Sequence, residues 1–213
     1  MSGCCSPQGH DAIFDERFAR SVADRYRRRG LTAAQRQIIG FLSRRGVEGA
    51  TVLEVGGGAG EIGVELLKRG ADHVTTVELV SSYDAEAASL LEAAGLIHRA
   101  RRLQVNIALD PDAVEAADIV VLHRVVCCYP DHQGLLASAA SHARRLLVFS
   151  HPPRNLATIA YAGAQNLVFR LAGHGFKTFM HPPAEMLATL ARQGLAPVYR
   201  HRGALWHVAG FSR

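Results

Sequence analysis

The sequence predicts an α/β fold: a mostly parallel seven-stranded sheet, an N-terminal helical cap and a C-terminal antiparallel hairpin. Three observations carry that expectation. From residue 47 to 152, short β-rich runs alternate with helix-length amphipathic stretches, the rhythm of βαβ units and hence of a parallel sheet. The first run, Thr51-Val52-Leu53-Glu54-Val55, passes straight into Gly56-Gly57-Gly58-Ala59-Gly60 and then into a helical pattern. The tail breaks the rhythm, with two β-rich runs joined by a tight turn at Arg202-Gly203.

Taken in order, residues 1–12 read as a flexible lead. Phe14, Phe18, Val22 and Tyr26 recur every four positions, one face of a helix over 14–29. Gly30 ends it, and Thr32 caps a second helix through Leu42. The first strand is 51–55. A helix over 61–69 closes at Gly70, a strand follows over 73–79, and a helix over 83–94 closes at Gly95. The third strand is placed at 102–107 and a short helix at 111–117. The fourth strand, 118–123, is apolar enough for burial on both faces. A helix over 131–143 leads to the fifth strand, 145–150. Apolar helices follow over 155–172 and 182–193, and strands at 197–201 and 204–210 form the hairpin.

Composition narrows the classes. The chain has 213 residues, enough for one sizeable core. With 48% apolar and 20% charged residues it is not a disordered chain. No apolar run is long enough to cross a bilayer. Residues 1–10 lack the cationic-then-apolar order of a signal peptide, so a cytoplasmic protein is expected. The net charge of +5 concentrates in Arg25-Tyr26-Arg27-Arg28-Arg29 and Arg44-Arg45. With no interleaved basic and aromatic stripe elsewhere, these read as solvated helix faces, and no nucleic acid is expected. Neither cysteine pair, Cys4-Cys5 or Cys127-Cys128, has metal-ligand spacing, so no metal is expected.

The glycines of 56–60 permit a sharp turn and let a ligand approach the backbone with no Cβ in the way. The helix start beyond them offers free amide donors. In an open α/β sheet this crevice is where ligands bind. Gly58-Ala59-Gly60-Glu61-Ile62-Gly63 matches G-x-G-x-x-G, so a dinucleotide is one candidate. Glu54 and Glu61 point the other way. A carboxylate repels a pyrophosphate but attracts an ammonium, directly or through water. Glu54, Gly56, Gly57, Gly58 and Gly60 therefore form the expected cofactor loop.

The run Val52-Leu53-Glu54-Val55-Gly56-Gly57-Gly58-Ala59-Gly60 resembles the first motif of class I S-adenosylmethionine-dependent methyltransferases, an acidic residue followed by spaced glycines. Over about residues 48–152 the resemblance implies a Rossmann-like methyltransferase fold and S-adenosyl-L-methionine as cofactor. In that family the second strand ends in an acid that binds both ribose hydroxyls. Thr75-Thr76-Val77-Glu78-Leu79 places Glu78 there, with Leu79 beside it, and a carboxylate accepts two charge-assisted hydrogen bonds. The family often has an acid near the adenine amino group. Asn106 stands in that place as an acceptor, and Ile107 packs on the ring. The same stretch also resembles magnesium-protoporphyrin O-methyltransferases, whose His-Tyr-Pro is matched here by Cys128-Tyr129-Pro130. Their N-terminal active-site tyrosine is matched by Tyr26. The exchange of His for Cys at Cys128 departs from that pattern. The resemblance divides the chain, read as one domain, into a cap (1–46), a cofactor-binding core (47–152), acceptor-cover helices (153–195) and the hairpin (196–213).

In the family, the edge after the fourth strand faces the reacting centre. Methyl transfer is an in-line displacement, so alignment dominates, and a base is needed only where the acceptor keeps its proton. His123 is expected either as that base or as a packing and hydrogen-bonding residue against the cofactor. His151 is a second base candidate and His181 a third. Tyr129 is expected at the reacting centre or lining the acceptor pocket. Arg124 and Tyr26 are expected to hold the acceptor. Cys127 and Cys128 read as small buried apolar residues. Leu156, Ile159, Ala160, Leu167 and Leu171 suggest an apolar cover, so a small hydrophobic or aromatic acceptor is expected, with Arg25, Arg28 and Arg154 as charges for its carboxylate. The expected activity is O-methylation of a small molecule, with a homodimer as a candidate assembly. Two alternatives stay open: an NAD(P)-dependent oxidoreductase using the same loop, and a non-catalytic nucleoside-binding protein.

Overall fold

The computed structural model describes residues 9–213, so Cys4-Cys5 lie outside the described residues. Its strands are β1 (Thr51–Val55), β2 (His73–Glu78), β3 (Ala100–Gln104), β4 (Ala117–Leu122), β5 (Ala143–His151), β6 (Ala196–Arg202) and β7 (His207–Ser212). They form one sheet in the order β3-β2-β1-β4-β5-β7-β6. The first five pair in parallel; β7 runs antiparallel between β5 and β6. This is the expected mostly parallel seven-stranded sheet with a terminal antiparallel pair. The order reverses between β1 and β4, so the loops after these two strands diverge and open a crevice at their C-terminal ends.

The helices are α1 (His10–Ile13), α2 (Glu16–Arg29), α3 (Ala33–Arg45), α4 (Glu61–Lys68), α5 (Asp84–Ala93), α6 (His132–Ser141), α7 (Leu156–Leu171) and α8 (Pro183–Arg192). Several boundaries differ from expectation for local reasons. Helix begins already at His10, and Asp15 breaks the predicted 14–29 helix by capping α2 through the Phe18 N–H at 2.8 Å. Thr32 and Gln35 form a capping box that starts α3, which continues to Arg45. The third strand lies earlier, because β3 must run in step with β2 and its Gln104 pairs Glu78. Residues 105–107 then turn off the sheet. Between β3 and β4 the expected 111–117 helix is a single 3₁₀ turn, Pro111–Ala113. Among the described residues no helix is long and apolar enough to cross a membrane.

Alternation along the strands divides the core between the two faces. Val52 and Val121 pack with Ile38, Leu42 and Ile62 under the cap helices. Leu53, Val120 and Leu122 pack with Leu136, Phe149 and Leu190 under α6 and α8. The cap packs very closely on the sheet at Gly210. A Cβ on Gly210 of β7 would lie 2.6 Å from the buried Phe41 ring of α3, and that ring stacks on Tyr199 at 4.8 Å. Gly210→Val is therefore expected to cost about 1–3 kcal/mol through overpacking. A lower urea midpoint at unchanged slope would report it; an unchanged midpoint would mean that α3 gives way freely.

Candidate active site

The Glu54 carboxyl, 2% exposed, lies beneath the loop that follows β1. Its Oε2 accepts the Gly63 N–H at 3.2 Å. A Cβ on Gly57 would come within 2.8 Å of Glu54 Cδ, and one on Gly63 within 2.9 Å of Glu54 Oε2. The glycines make room for the acid. Burial, reinforced by the neighbouring Glu61, pushes the Glu54 pKa up to about 8. Glu54 does not line the cavity above it, so it braces the loop and does not meet a ligand there directly. Gly56 and Gly58 hold positive φ, 62° and 58°, and both line the cavity with Gly57. Gly60 does not line it; it caps α4 in a left-handed conformation.

The cavity holds about 550 Å³ and opens at the ends of β1, β2 and β4. At one end, Glu78 accepts the N–H groups of Gly58 and of Leu79, the latter at 3.2 Å. Burial raises its carboxyl above the usual range, against the pull of those two amides. The Tyr83 ring lies over Gly58. Asn106 and Ile107 line the same end, both buried. Asn106 Oδ1 already accepts the Ala108 N–H and the Tyr129 hydroxyl, each at 3.2 Å. A carbonyl oxygen has two acceptor sites, so both acceptor sites of the Asn106 oxygen are filled from within the protein. The Tyr129 hydroxyl donates to Asn106, and Tyr129 lines the cavity.

Between the ends sit His123 and Arg124. His123 Nδ1 lies 2.9 Å from Ser150 Oγ, which also accepts the Arg124 N–H at 3.0 Å. Burial, then the nearby charges of Arg124 and Arg25, lower the His123 pKa to about 3. Arg124 has φ 62°, a conformation that non-glycine residues adopt at a cost, and its guanidinium lies 5.0 Å from the Trp206 ring centroid. Cys127 and Cys128 line the cavity as free thiols with sulfurs 3.7 Å apart. At the start of α4, Glu61 Oε1 pairs with Arg25 Nη2 at 3.0 Å and accepts from Gln35 Nε2 at 3.2 Å.

Three expected site residues lie elsewhere. His151 is absent from the cavity lining; its Nδ1–H donates to the Pro152 carbonyl at 2.9 Å. His181 donates to the Tyr129 carbonyl and stacks on His132 at 4.0 Å. Tyr26 donates to Glu65 at 2.7 Å and does not line the cavity. The 3.6-residue period carries the inward face of α2 from Phe18 and Val22 to Arg25, not Tyr26. Arg28 and Arg154 also lie outside the lining. The expected cover inverts as well: Thr158, Tyr161, Gln165 and Phe169 of α7 face the cavity, while Leu156, Ile159, Ala160, Leu167 and Leu171 do not. Phe14, Phe18 and Phe176 complete the aromatic end, with Phe14 and Phe176 edge to face at 5.4 Å. Tyr83, Ser150, Phe176 and Trp206 went unassigned in the sequence.

No protein-family model matches the chain, and no curated protein matches its sequence. Solved structures match its fold. Magnesium protoporphyrin IX methyltransferase from Synechocystis, with bound SAH, gives a TM-score of 0.71 at 17% identity, covering 95% of this chain and 99% of that one. An O-methyltransferase family 2 protein from Planctomyces limnophilus, in complex with apigenin, gives 0.67 at 19% identity; 95% of this chain covers 63% of that one. A TehB-like SAM-dependent methyltransferase from Corynebacterium glutamicum gives 0.66 at 16%, covering 96% of this chain and 100% of that one. The chain has the Rossmann-like methyltransferase fold.

The buried Glu54 has a pH signature. Its carboxyl titrates at about 8 when folded and at about 4.3 when unfolded. Between these values the folded state holds the extra proton, so stability falls as pH rises through the window. Glu54→Gln removes that titration. Urea titrations at several pH values should show the variant gaining on the parent from about pH 5 to pH 9; parallel curves would contradict the assignment.

Proposed function

We propose that this chain is an S-adenosylmethionine-dependent methyltransferase that methylates an oxygen of a small, hydrophobic or aromatic acceptor. The observation that carries the reading is one continuous cavity. It joins a glycine loop and Glu78 to an aromatic chamber, with His123 and Arg124 between them. Its volume, about 550 Å³, falls in the range of sites that enclose whole ligands.

The donor set fits the cofactor better than a dinucleotide. Glu61 stands in the first turn of α4, where a pyrophosphate needs amide donors and no negative charge. Glu61 and its partner Arg25 suit the ammonium and carboxylate of a methionine. Glu78 suits a pair of ribose hydroxyls, and Ile107 packs on the adenine. The free amide of Asn106 donates to a ring nitrogen. When bound, the cofactor supplies a methyl group activated on a sulfonium.

The remaining chemistry falls to His123 and Arg124. With a pKa near 3, His123 is neutral and too weak a base to deprotonate a hydroxyl at neutral pH. The buried Ser150 hydroxyl accepts from the Arg124 N–H and lies 2.9 Å from His123 Nδ1. With the Ser150 proton given to Nδ1, the imidazole keeps its own on Nε2, a donor that orients the acceptor oxygen. Arg124 has no ion-pair partner among the described residues and lines the cavity. It meets the acceptor's negative charge. The acceptor is thus a molecule whose oxygen arrives ionised, a carboxylate or an acidic phenol.

Calorimetry with S-adenosylhomocysteine tests the first step, and absence of binding to the parent protein would sink the proposal. Glu78→Ala should weaken that binding about a hundredfold or more, the worth of two charge-assisted hydrogen bonds. His123→Ala should leave binding intact and lower kcat on the order of ten- to a hundredfold. The parent's pH profile should show no limb near pH 6–7. A limb there that disappears in His123→Ala would make His123 the base after all.

A further inference from the structure

Helix α7 has its polar side inward. Asn166 Nδ2 donates to the Thr178 carbonyl and Asn166 Oδ1 accepts the Thr178 N–H, both at 2.8 Å; Gln165 Oε1 accepts the Thr178 hydroxyl at 3.2 Å. Its apolar side faces out. Leu156, Val168 and Leu171 are 87%, 61% and 77% exposed, with Ile159 and Leu167 exposed beside them. Of its sixteen residues only Ala162 is buried. A surface helix ordinarily turns its apolar stripe toward the core, and a contiguous exposed apolar face marks an interaction surface.

Charge selects the occupant. No Asp or Glu occurs between Asp131 and Glu185. Arg154 precedes α7, Arg170 stands in its last turn and Lys177 follows it, all exposed. Cations framing an apolar helix match anionic headgroups above an acyl layer. A second copy of the same face would bring those cations together with no acid in the segment to meet them. The helix is too short to span a bilayer and fits one lying in the interface. Tyr161 of the same helix is exposed and lines the cavity, so this face adjoins the cavity mouth.

We propose that the outward face of α7 docks the protein onto an anionic lipid surface. Flotation of the full chain with vesicles tests this. The parent should float with phosphatidylcholine mixed with phosphatidylglycerol, and much less with phosphatidylcholine alone. The double variant Leu167→Glu/Leu171→Glu should lose about tenfold or more in partitioning. Arg170→Glu/Lys177→Glu should lose a similar factor without touching the apolar residues. All four positions are exposed, and circular dichroism melts check that the variants fold. A parent that floats with neither vesicle overturns the proposal. So does a lipid-free dimer in sedimentation that Leu167→Glu/Leu171→Glu dissociates, since the face would then belong to a second copy.

Discussion

Beneath the loop after β1, the Glu54 carboxyl packs against the Gly63 amide at 3.2 Å, and the missing side chains of Gly57 and Gly63 are what let it fit. Much of the functional end depends on this arrangement. The acid holds the start of α4 against the end of β1, which keeps the loop low. The low loop brings Gly58 N–H to Glu78 at the end of the next strand. It also sets Gly56 against Val125, so closely that a Cβ there would clash with the Val125 side chain. One buried carboxyl therefore couples the ends of β1, β2 and β4, the three edges that frame the cavity. Burying it ionised would be costly, and its raised pKa is the local answer to that cost.

The same physics divides the cavity into regions of different polarity. Glu61 remains tied to Arg25 and Gln35 at the helix start. Across from it, His123 is kept neutral by burial beside two arginines, while Arg124 reaches over Trp206. A left-handed backbone at Arg124 turns its N–H to Ser150. This strain is stored where β4 ends, at the edge where α/β sheets place their chemistry. In the aromatic chamber beyond, the polar side chains Gln165 and Thr178 bond each other. In the proposed reading, that contrast lets one arginine decide which acceptors enter.

The sheet was legible in the sequence because its signals are local. Alternating runs, terminal glycines and the capping residue Thr32 all report on neighbours a few residues away. The glycine loop and Glu78 were legible for the same reason. What failed was directional. Glu54 was expected to serve a ligand's ammonium directly or through water; it lies outside the cavity lining, under its own loop, a placement set by the Gly57 and Gly63 contacts and not by residue type. Tyr26 and Arg25 are adjacent but point about 100° apart on a helix, and the rotation of α2 sets Arg25 inward. His151 ends β5 and His123 follows β4 at the same edge, yet only His123 lines the cavity. Asn106 was expected to accept from a ligand, but its oxygen accepts the hydroxyl of Tyr129, 23 residues on.

The misread cover helix follows from the same limitation. A run as apolar as α7 is ordinarily assigned to the core, and that assumption placed Leu156, Leu167 and Leu171 over the acceptor. Yet the segment after α7 must be held down if Phe176 is to reach Phe14 and close the chamber. Asn166 and Gln165 do this by bonding Thr178. Once those amides point inward, the helical period leaves Leu167, Val168 and Leu171 no inward position. The closure of the aromatic chamber and the exposed apolar face are thus two consequences of one choice of helix rotation. Turning the leucines inward would release Thr178 and, with it, the Phe176 end of the chamber wall.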